Sequence, residues 1–419
     1  MTDIHTHVIE KAKKAKKAAG NMAVVGSAVK DAALRAMADA ILDNRTAIRE
    51  ANAKDLAKAG EYGLTAAMID RLTLTDKRIE GMAEGLREIA SFPDPVGKVT
   101  DVVNRPSGIR VGKMTVPIGL IGFIYESRPN VTADAAGLTL KAGNAVLLRG
   151  GKEALNSNIA LATLLNDAAV SKGVPDGVIS IIEKIDREGV RHMIEAEGII
   201  DLVIPRGGKG LIKAVVDGAR IPVIKHYEGN CHVYVDKTAD LDDAVAITVN
   251  SKTQRPGVCN AAETLLVHRD VAGTFLPRAA TALKEKGVEL RACGRSREIV
   301  PDMKEAAADD WYTEYLDLII AVKVVDSLEN AVEHINTYSS KHTDTIVTSD
   351  ILAADYFVTA VDSSSVMVNA STRFSDGGVY GLGAEIGIST DKLHARGPMG
   401  VADLTTYKWV VYGTGSIRT

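Results

Sequence analysis

Reactive side chains in this sequence gather first around one thiol. Cys259 stands in Arg255-Pro256-Gly257-Val258-Cys259-Asn260-Ala261-Ala262-Glu263. Pro256 and Gly257 break the helix before them and set the thiol on a turn just ahead of a strand, where a side chain can be exposed. A thiol so placed acts as a nucleophile if backbone dipoles or nearby cations lower its pKa. The competing reading is a small buried hydrophobe, the usual fate of an unoxidised cysteine. Cys231 and Cys293 lack that setting and read as structural. No Cys or His spacing suggests a metal site.

A second group is Tyr125-Glu126-Ser127-Arg128-Pro129-Asn130-Val131, where a strand ends and a helix begins. Ligands of parallel α/β sheets bind at the carboxyl ends of strands. An asparagine amide there can donate to a developing oxyanion, and it can equally serve as a helix N-cap. Two glycine turns form a third group. Arg149-Gly150-Gly151-Lys152 and Pro205-Arg206-Gly207-Gly208-Lys209 each follow a strand and open a helix. Bare amides beside a cation suit phosphate, although such turns also use glycine for steric reasons. Neither turn matches the P-loop or the G-x-G-x-x-G fingerprint. A fourth cluster, Gly377, Gly378, Gly381 and Gly383 beside Ser375, Asp376 and Glu385, is either a close ligand approach or a flexible connection.

These groups need a scaffold, and the chain supplies an α/β one. Its 419 residues are too many for one core. A net charge of −4, 46% hydrophobic and 25% charged residues exclude disorder. A pI near 6.2 gives no support for a nucleic-acid binder. The first residues hold no apolar signal-peptide core and no window is apolar enough to span a membrane, so the expected location is cytoplasmic. The Lys11, Lys13, Lys14, Lys16, Lys17 cluster reads as a solvated helix face rather than a phosphate site.

The first hundred residues carry helical periodicity, with Leu34, Met37, Ala38, Ile41 and Leu42 on one face. Pro93 and Pro95 end it. Residues 107–118 read as a hairpin about Gly112-Lys113. Strands are expected at 120–124, 145–148, 178–182, 201–204 and 222–225, with helices at 131–141, 155–172, 187–196 and 209–218. A second series has strands at 264–268, 288–292, 318–325, 345–348 and 366–369, with helices at 241–251, 273–286, 327–337 and 351–359. A tail strand covers 405–412. Alternating units of this kind imply mostly parallel sheets with helices on both faces.

Long segments of the sequence, Tyr125–Ala154, Ser251–His268, Ile335–Asp350 and Arg373–Thr390, resemble the aldehyde dehydrogenase superfamily, and within it the reductases that act on an acyl phosphate of glutamate. The resemblance implies two Rossmann-like, doubly wound parallel-sheet domains and a small β-hairpin/tail arm for oligomerisation. The cofactor-binding domain would take 1–106, 119–230 and part of 373–400, the catalytic domain 231–372, and the arm 107–118 with 401–419. By the same resemblance Cys259 is the catalytic thiol and Asn130 the oxyanion-hole amide. Arg149, Lys152, Gly207, Gly208 and Glu314 fall at cofactor positions. Arg128, Lys252 and Arg255 are candidate substrate cations. Oxidising members carry a water-activating glutamate, and that position is His226 here, two residues before Glu228.

The implied reaction is NADPH-dependent reduction of L-glutamyl 5-phosphate to the 5-semialdehyde through a cysteine thioester, in proline biosynthesis. The implied assembly is a homo-oligomer, dimer or tetramer, coupled functionally to glutamate 5-kinase. The competing readings are an NAD(P)-dependent aldehyde dehydrogenase that makes an acid, a non-catalytic nucleotide-binding homologue, and a Cys-dependent acyltransferase.

Overall fold

A computed structural model describes residues 3–418. Two compact units share the chain. The first takes in 3–225, 381–387 and 399–418 of the described residues, and the second 226–380 and 388–398.

The first unit opens with five helices, Ile4–Met22, Ser27–Asp43, Arg45–Leu56, Ala66–Leu72 and Asp76–Ser91. Leu34, Met37 and Ile41 are fully buried, as their spacing requires. The lysine cluster on the first helix is mostly paired: Lys11 with Glu183, Lys14 with Asp176 and Lys16 with Asp201. These pairs moor the helix to its own unit, so the face is less solvated than its sequence suggests.

A four-stranded parallel sheet follows, in the order Ile179–Ile181, Ala145–Gly150, Leu120–Tyr125, Leu202–Arg206. Its two central strands are buried along their whole length, the mark of a sheet covered on both faces. The expected strand at 222–225 is only a single bridge, Val203 to Val223. Pro222 has no N–H to continue a ladder.

Residues 107–118 are not a hairpin. Arg110–Pro117 is one strand, and its hairpin partner is Val99–Asn104, with Thr405–Tyr412 on the other side. Apolar alternation does not distinguish one eight-residue strand from two shorter ones.

The second unit holds a seven-stranded parallel sheet. Its order is Lys304–Glu305, Glu289–Ala292, Ile319–Val325, Ala262–His268, Cys231–Val235, Thr343–Val347, Ser365–Val368. The interior strand Cys231–Val235 was not expected from the sequence. It buries His232, whose Nδ1 lies 2.9 Å from Asp344 on the neighbouring strand. A cross-strand polar pair thus replaces an apolar contact.

Candidate active site

In the second unit, Asp240 caps the helix Leu241–Thr253, its carboxylate accepting from the amides of Asp242 and Asp243. The chain then turns through 254–261 into the strand Ala262–His268. The Ala261 amide donates to the Val258 carbonyl at 3.0 Å, which places Cys259 and Asn260 at the centre of a tight turn. Cys259 is half-buried there, neither a core hydrophobe nor a bare surface thiol.

Two contacts fix the main chain of Cys259. The backbone of Gly229 lies so close that a Cβ on it would stand 1.7 Å from the Cys259 carbonyl oxygen. Only glycine tolerates that approach. The Gly229 amide in turn donates to Glu314 Oε1 at 2.8 Å. The buried Cys231 thiol donates to the Cys259 carbonyl at 3.2 Å. Burial pushes the Cys231 thiol up, with Asp344 adding to it, so Cys231 stays protonated and can donate. Asn260 Nδ2 donates to the Ser375 carbonyl at 2.8 Å and ties the turn to the 371–376 segment.

Glu314, expected at the cofactor, accepts a backbone hydrogen bond beside the thiol turn. Lys252 is a correction. It is fully buried, and its ammonium meets Glu263 Oε2 at 2.5 Å, so it is half of a core ion pair and not a cation open to substrate. Burial raises the Glu263 carboxyl and lowers the Lys252 ammonium, and the attraction of each for the other opposes both shifts. Arg255, by contrast, is exposed. His226 faces the Ile388 carbonyl with Nδ1 at 3.0 Å, so that nitrogen carries the proton. Its ring meets His342 edge-on at 5.7 Å. Burial, and then His226, push His342 down to about 3.

In the first unit, a strand-to-helix junction lies at 125–130. Asn130 is the first residue of the helix Asn130–Lys141 and makes no side-chain cap bond. Its Nδ2 donates instead to Asp134 Oδ2 at 3.1 Å. That bond orients the amide and leaves it a second N–H, so the N-cap reading does not hold. Burial pushes Asp134 up to about 6, offset in part by Asn130 and then Arg206. Ser127 sits at φ 44°, unusual for a non-glycine residue, with its amide and hydroxyl both donating to Glu153 Oε1. Arg128 lies on the same junction.

Arg149 is a second correction. It is nearly buried, and its guanidinium donates to the carbonyls of Gly150, Ile185 and Asp186. These bonds make it a brace for the 185–186 loop. Lys152 is exposed, with Nζ 4.6 Å from the centre of the Tyr62 ring. At the other glycine turn, the Gly208 amide donates to Glu126 Oε2 at 2.8 Å. The helix Lys209–Gly218 therefore already holds an anionic group at its N-terminus.

The sequence assigns no site role to Gly229, Cys231 and Arg373, which border the thiol turn in the second unit, or to Glu126, which holds the Gly208 amide in the first. Glu126 and Arg373 did carry a signal, since they fall in the Tyr125–Ala154 and Arg373–Thr390 segments of the family resemblance. Among the described residues no cluster of three ligating side chains could hold a metal ion, and no helix is long and apolar enough to cross a membrane.

Comparison with known proteins agrees in family and fold. The aldehyde dehydrogenase family model matches residues 3–296. A gamma-glutamyl phosphate reductase of Caldanaerobacter subterraneus is 56% identical over 408 residues, covering 97% of this chain and 99% of the relative. The crystal structure of the gamma-glutamyl phosphate reductase of Thermotoga maritima superposes with a TM-score of 0.97 at 48% identity, covering 99% of this chain and 100% of that one. The Saccharomyces cerevisiae enzyme of the same name gives a TM-score of 0.54 at 32% identity, with 98% of each chain covered.

Proposed function

The chain belongs to the aldehyde dehydrogenase family, on its gamma-glutamyl phosphate reductase branch, and from that premise we propose that it reduces L-glutamyl 5-phosphate to L-glutamate 5-semialdehyde with release of phosphate, in proline biosynthesis. The observation that carries the reading is the Cys259 turn, a half-buried thiol whose main chain is fixed by Gly229 and Cys231. Family membership implies a nicotinamide nucleotide, and NADPH is the form the reading names. The first unit suits such a group: the helix after Gly208 holds a carboxylate on its amide, and Lys152 offers an exposed ammonium nearby in sequence to the other glycine turn.

The Cys259 thiolate attacks the acyl carbon. A C–S bond forms and, from the tetrahedral intermediate, the C–O bond to phosphate breaks, leaving a thioester and free phosphate. The Cys259 backbone N–H and the second N–H of Asn130 are the proposed oxyanion donors. The bond to Asp134 keeps the Asn130 amide from rotating. A nicotinamide held by the first unit would supply the hydride that takes the thioester to the aldehyde level. Cys259 then leaves as thiolate, ready for another turn. His226, bonded to a backbone carbonyl, stands where oxidising relatives place a water-activating carboxylate, and that favours phosphate over water as the acyl acceptor in reverse.

The three-stranded sheet is the proposed oligomerisation arm. Its exposed Tyr407, Trp409 and Val411 supply an apolar face for a second copy. A cytoplasmic location and coupling to glutamate 5-kinase belong to the same reading. The test is phosphate dependence in the reverse direction. Sustained turnover of the semialdehyde with NADP⁺ requires phosphate on this account; equal turnover without it would make the protein a hydrolytic aldehyde dehydrogenase.

A further inference from the structure

The second unit holds two guanidinium groups beside the thiol turn that the mechanism above leaves without a task. Arg255 is four residues before Cys259, is exposed, and makes no hydrogen bond or ion pair among the described residues. Arg373 comes from a distant stretch of chain, and the fold brings it to the same place. Its Nε donates to the side chain of Gln254, the residue next to Arg255, at 2.8 Å.

The attachment is a seam, not a single bond. Ser371 Oγ meets Ser251 Oγ at 3.0 Å, the Thr372 amide donates to Ser251 Oγ at 3.2 Å, and Asn260 donates to the Ser375 carbonyl at 2.8 Å. These bonds hold the short helix Thr372–Phe374 against both ends of the segment that carries Cys259. Burial, and then the like charge of Arg255, push the Arg373 guanidinium down, while Cys259 and Asp376 pull the other way. Arginine keeps its proton in proteins, so the site gathers two cations that repel. The Asp376 carboxylate is exposed and its Oδ1 accepts from the amides of Gly378 and Val379, so it only partly offsets them. Two guanidiniums within each other's field, beside a nucleophile, suit an anion with several oxygens.

We propose that Arg373, held on Gln254 beside Arg255, completes with it a two-guanidinium cradle for the phosphoryl group bonded to the acyl carbon that Cys259 attacks. The inference rests on the acyl-phosphate reading and extends it to residues for the leaving group. Chemistry selects the phosphoryl group over the other anion of the substrate. The phosphoryl oxygen is one bond from the reacting carbon, whereas the α-carboxylate lies several carbons further along the chain. In the forward step the guanidiniums take up the charge that grows on phosphate as the C–O bond breaks. In reverse they hold hydrogen phosphate while its oxygen attacks the thioester carbon and the C–S bond breaks.

The experiment is reverse-direction kinetics of the full chain, with semialdehyde, NADP⁺ and inorganic phosphate varied in turn. Arg373→Ala and Arg255→Ala should each raise the KM for phosphate by roughly 10- to 100-fold, the range for losing a charge-assisted hydrogen bond. The KM for semialdehyde should stay within about threefold. Arg373→Lys, which keeps the charge and the least change in volume, should recover part of the loss and guards against misfolding. Phosphate should also slow iodoacetamide labelling of Cys259 in the parent chain and fail to do so in Arg373→Ala. An unchanged phosphate KM in both alanine variants overturns the cradle. So does a rise confined to the semialdehyde KM, which would assign the arginines to the α-carboxylate. Failure of the underlying reading looks different, because the parent chain itself would then turn over semialdehyde without phosphate.

Discussion

Two glycines, Gly229 in the second unit and Gly207 in the first, make close approaches of opposite kinds. A Cβ on Gly229 would meet the backbone of Cys259 at 1.7 Å from its carbonyl oxygen. A Cβ on Gly207 would meet the ends of two side chains, Glu126 Oε2 at 2.5 Å and Leu211 Cδ2 at 2.7 Å. Main chain cannot step aside without moving the turn that bears the thiol, whereas side-chain ends can change rotamer. The thiol region is thus built to one geometry, as covalent chemistry demands. The Gly207-Gly208 turn, the proposed nucleotide turn, is built to rearrange, with the Glu126 carboxylate on the Gly208 amide where a phosphate would compete for it.

The sharpest way to break this contrast is Gly229→Ala. Displacing the Cys259 turn by about an ångström should cost at least about 100-fold in kcat. Gly207→Ala should act mainly on the KM for dinucleotide, by less than about tenfold, because Glu126 and Leu211 can give way. Equal losses in kcat from the two would erase the distinction. Next in size is Lys252→Ala, which strands Glu263 in the core behind the thiol loop. Urea unfolding should show a loss of about 3–5 kcal/mol, and Lys252→Met, with Glu263→Gln beside it, should return most of that. A loss below about 1 kcal/mol would mean the pair is not buried in solution.

Asn130→Ala should lower kcat by about 10²–10³, or about 2.7–4 kcal/mol, while leaving unfolding nearly unchanged, since the residue makes no cap bond. The smallest effect belongs to Glu126→Gln. Removing the charge that sits on the Gly208 amide should lower the KM for dinucleotide about two- to fivefold. A higher KM would show that Glu126 helps to hold the nucleotide and does not compete with it.

Most of the scaffold was legible because buried strands write themselves as short apolar runs. Leu120–Tyr125 and Ala145–Gly150 are of that kind. Cys231–Val235 and Thr343–Val347 were hard or impossible to assign with correct ends because their burial depends on polar pairs such as His232 with Asp344, which appear only when the strands lie side by side. The helix Arg269–Glu285 begins four residues before the expected start at 273, on a cap made by His268.

The site shows the same limit. Cys259 and Asn130 sit in segments whose motifs and local turns are contiguous in sequence. Arg149 and Lys252 were misassigned because a basic residue near a motif looks the same in sequence whether its charge meets a ligand, three carbonyls or a buried carboxylate. Gly229 and Arg373 reach the thiol turn from 30 residues before it and 114 after it, through contacts that no local pattern encodes.

The central claim is that Cys259 carries the acyl group between phosphate and hydride chemistry. Rapid mixing of the enzyme with semialdehyde and NADP⁺ in the absence of phosphate tests it most directly. The account predicts a burst of NADPH equal to the concentration of enzyme, a glutamyl adduct on Cys259 by mass spectrometry of the quenched protein, and steady turnover only once phosphate is added. Burst and adduct should both vanish in Cys259→Ala. Steady NADPH formation without phosphate, or an adduct on any other residue, would contradict it.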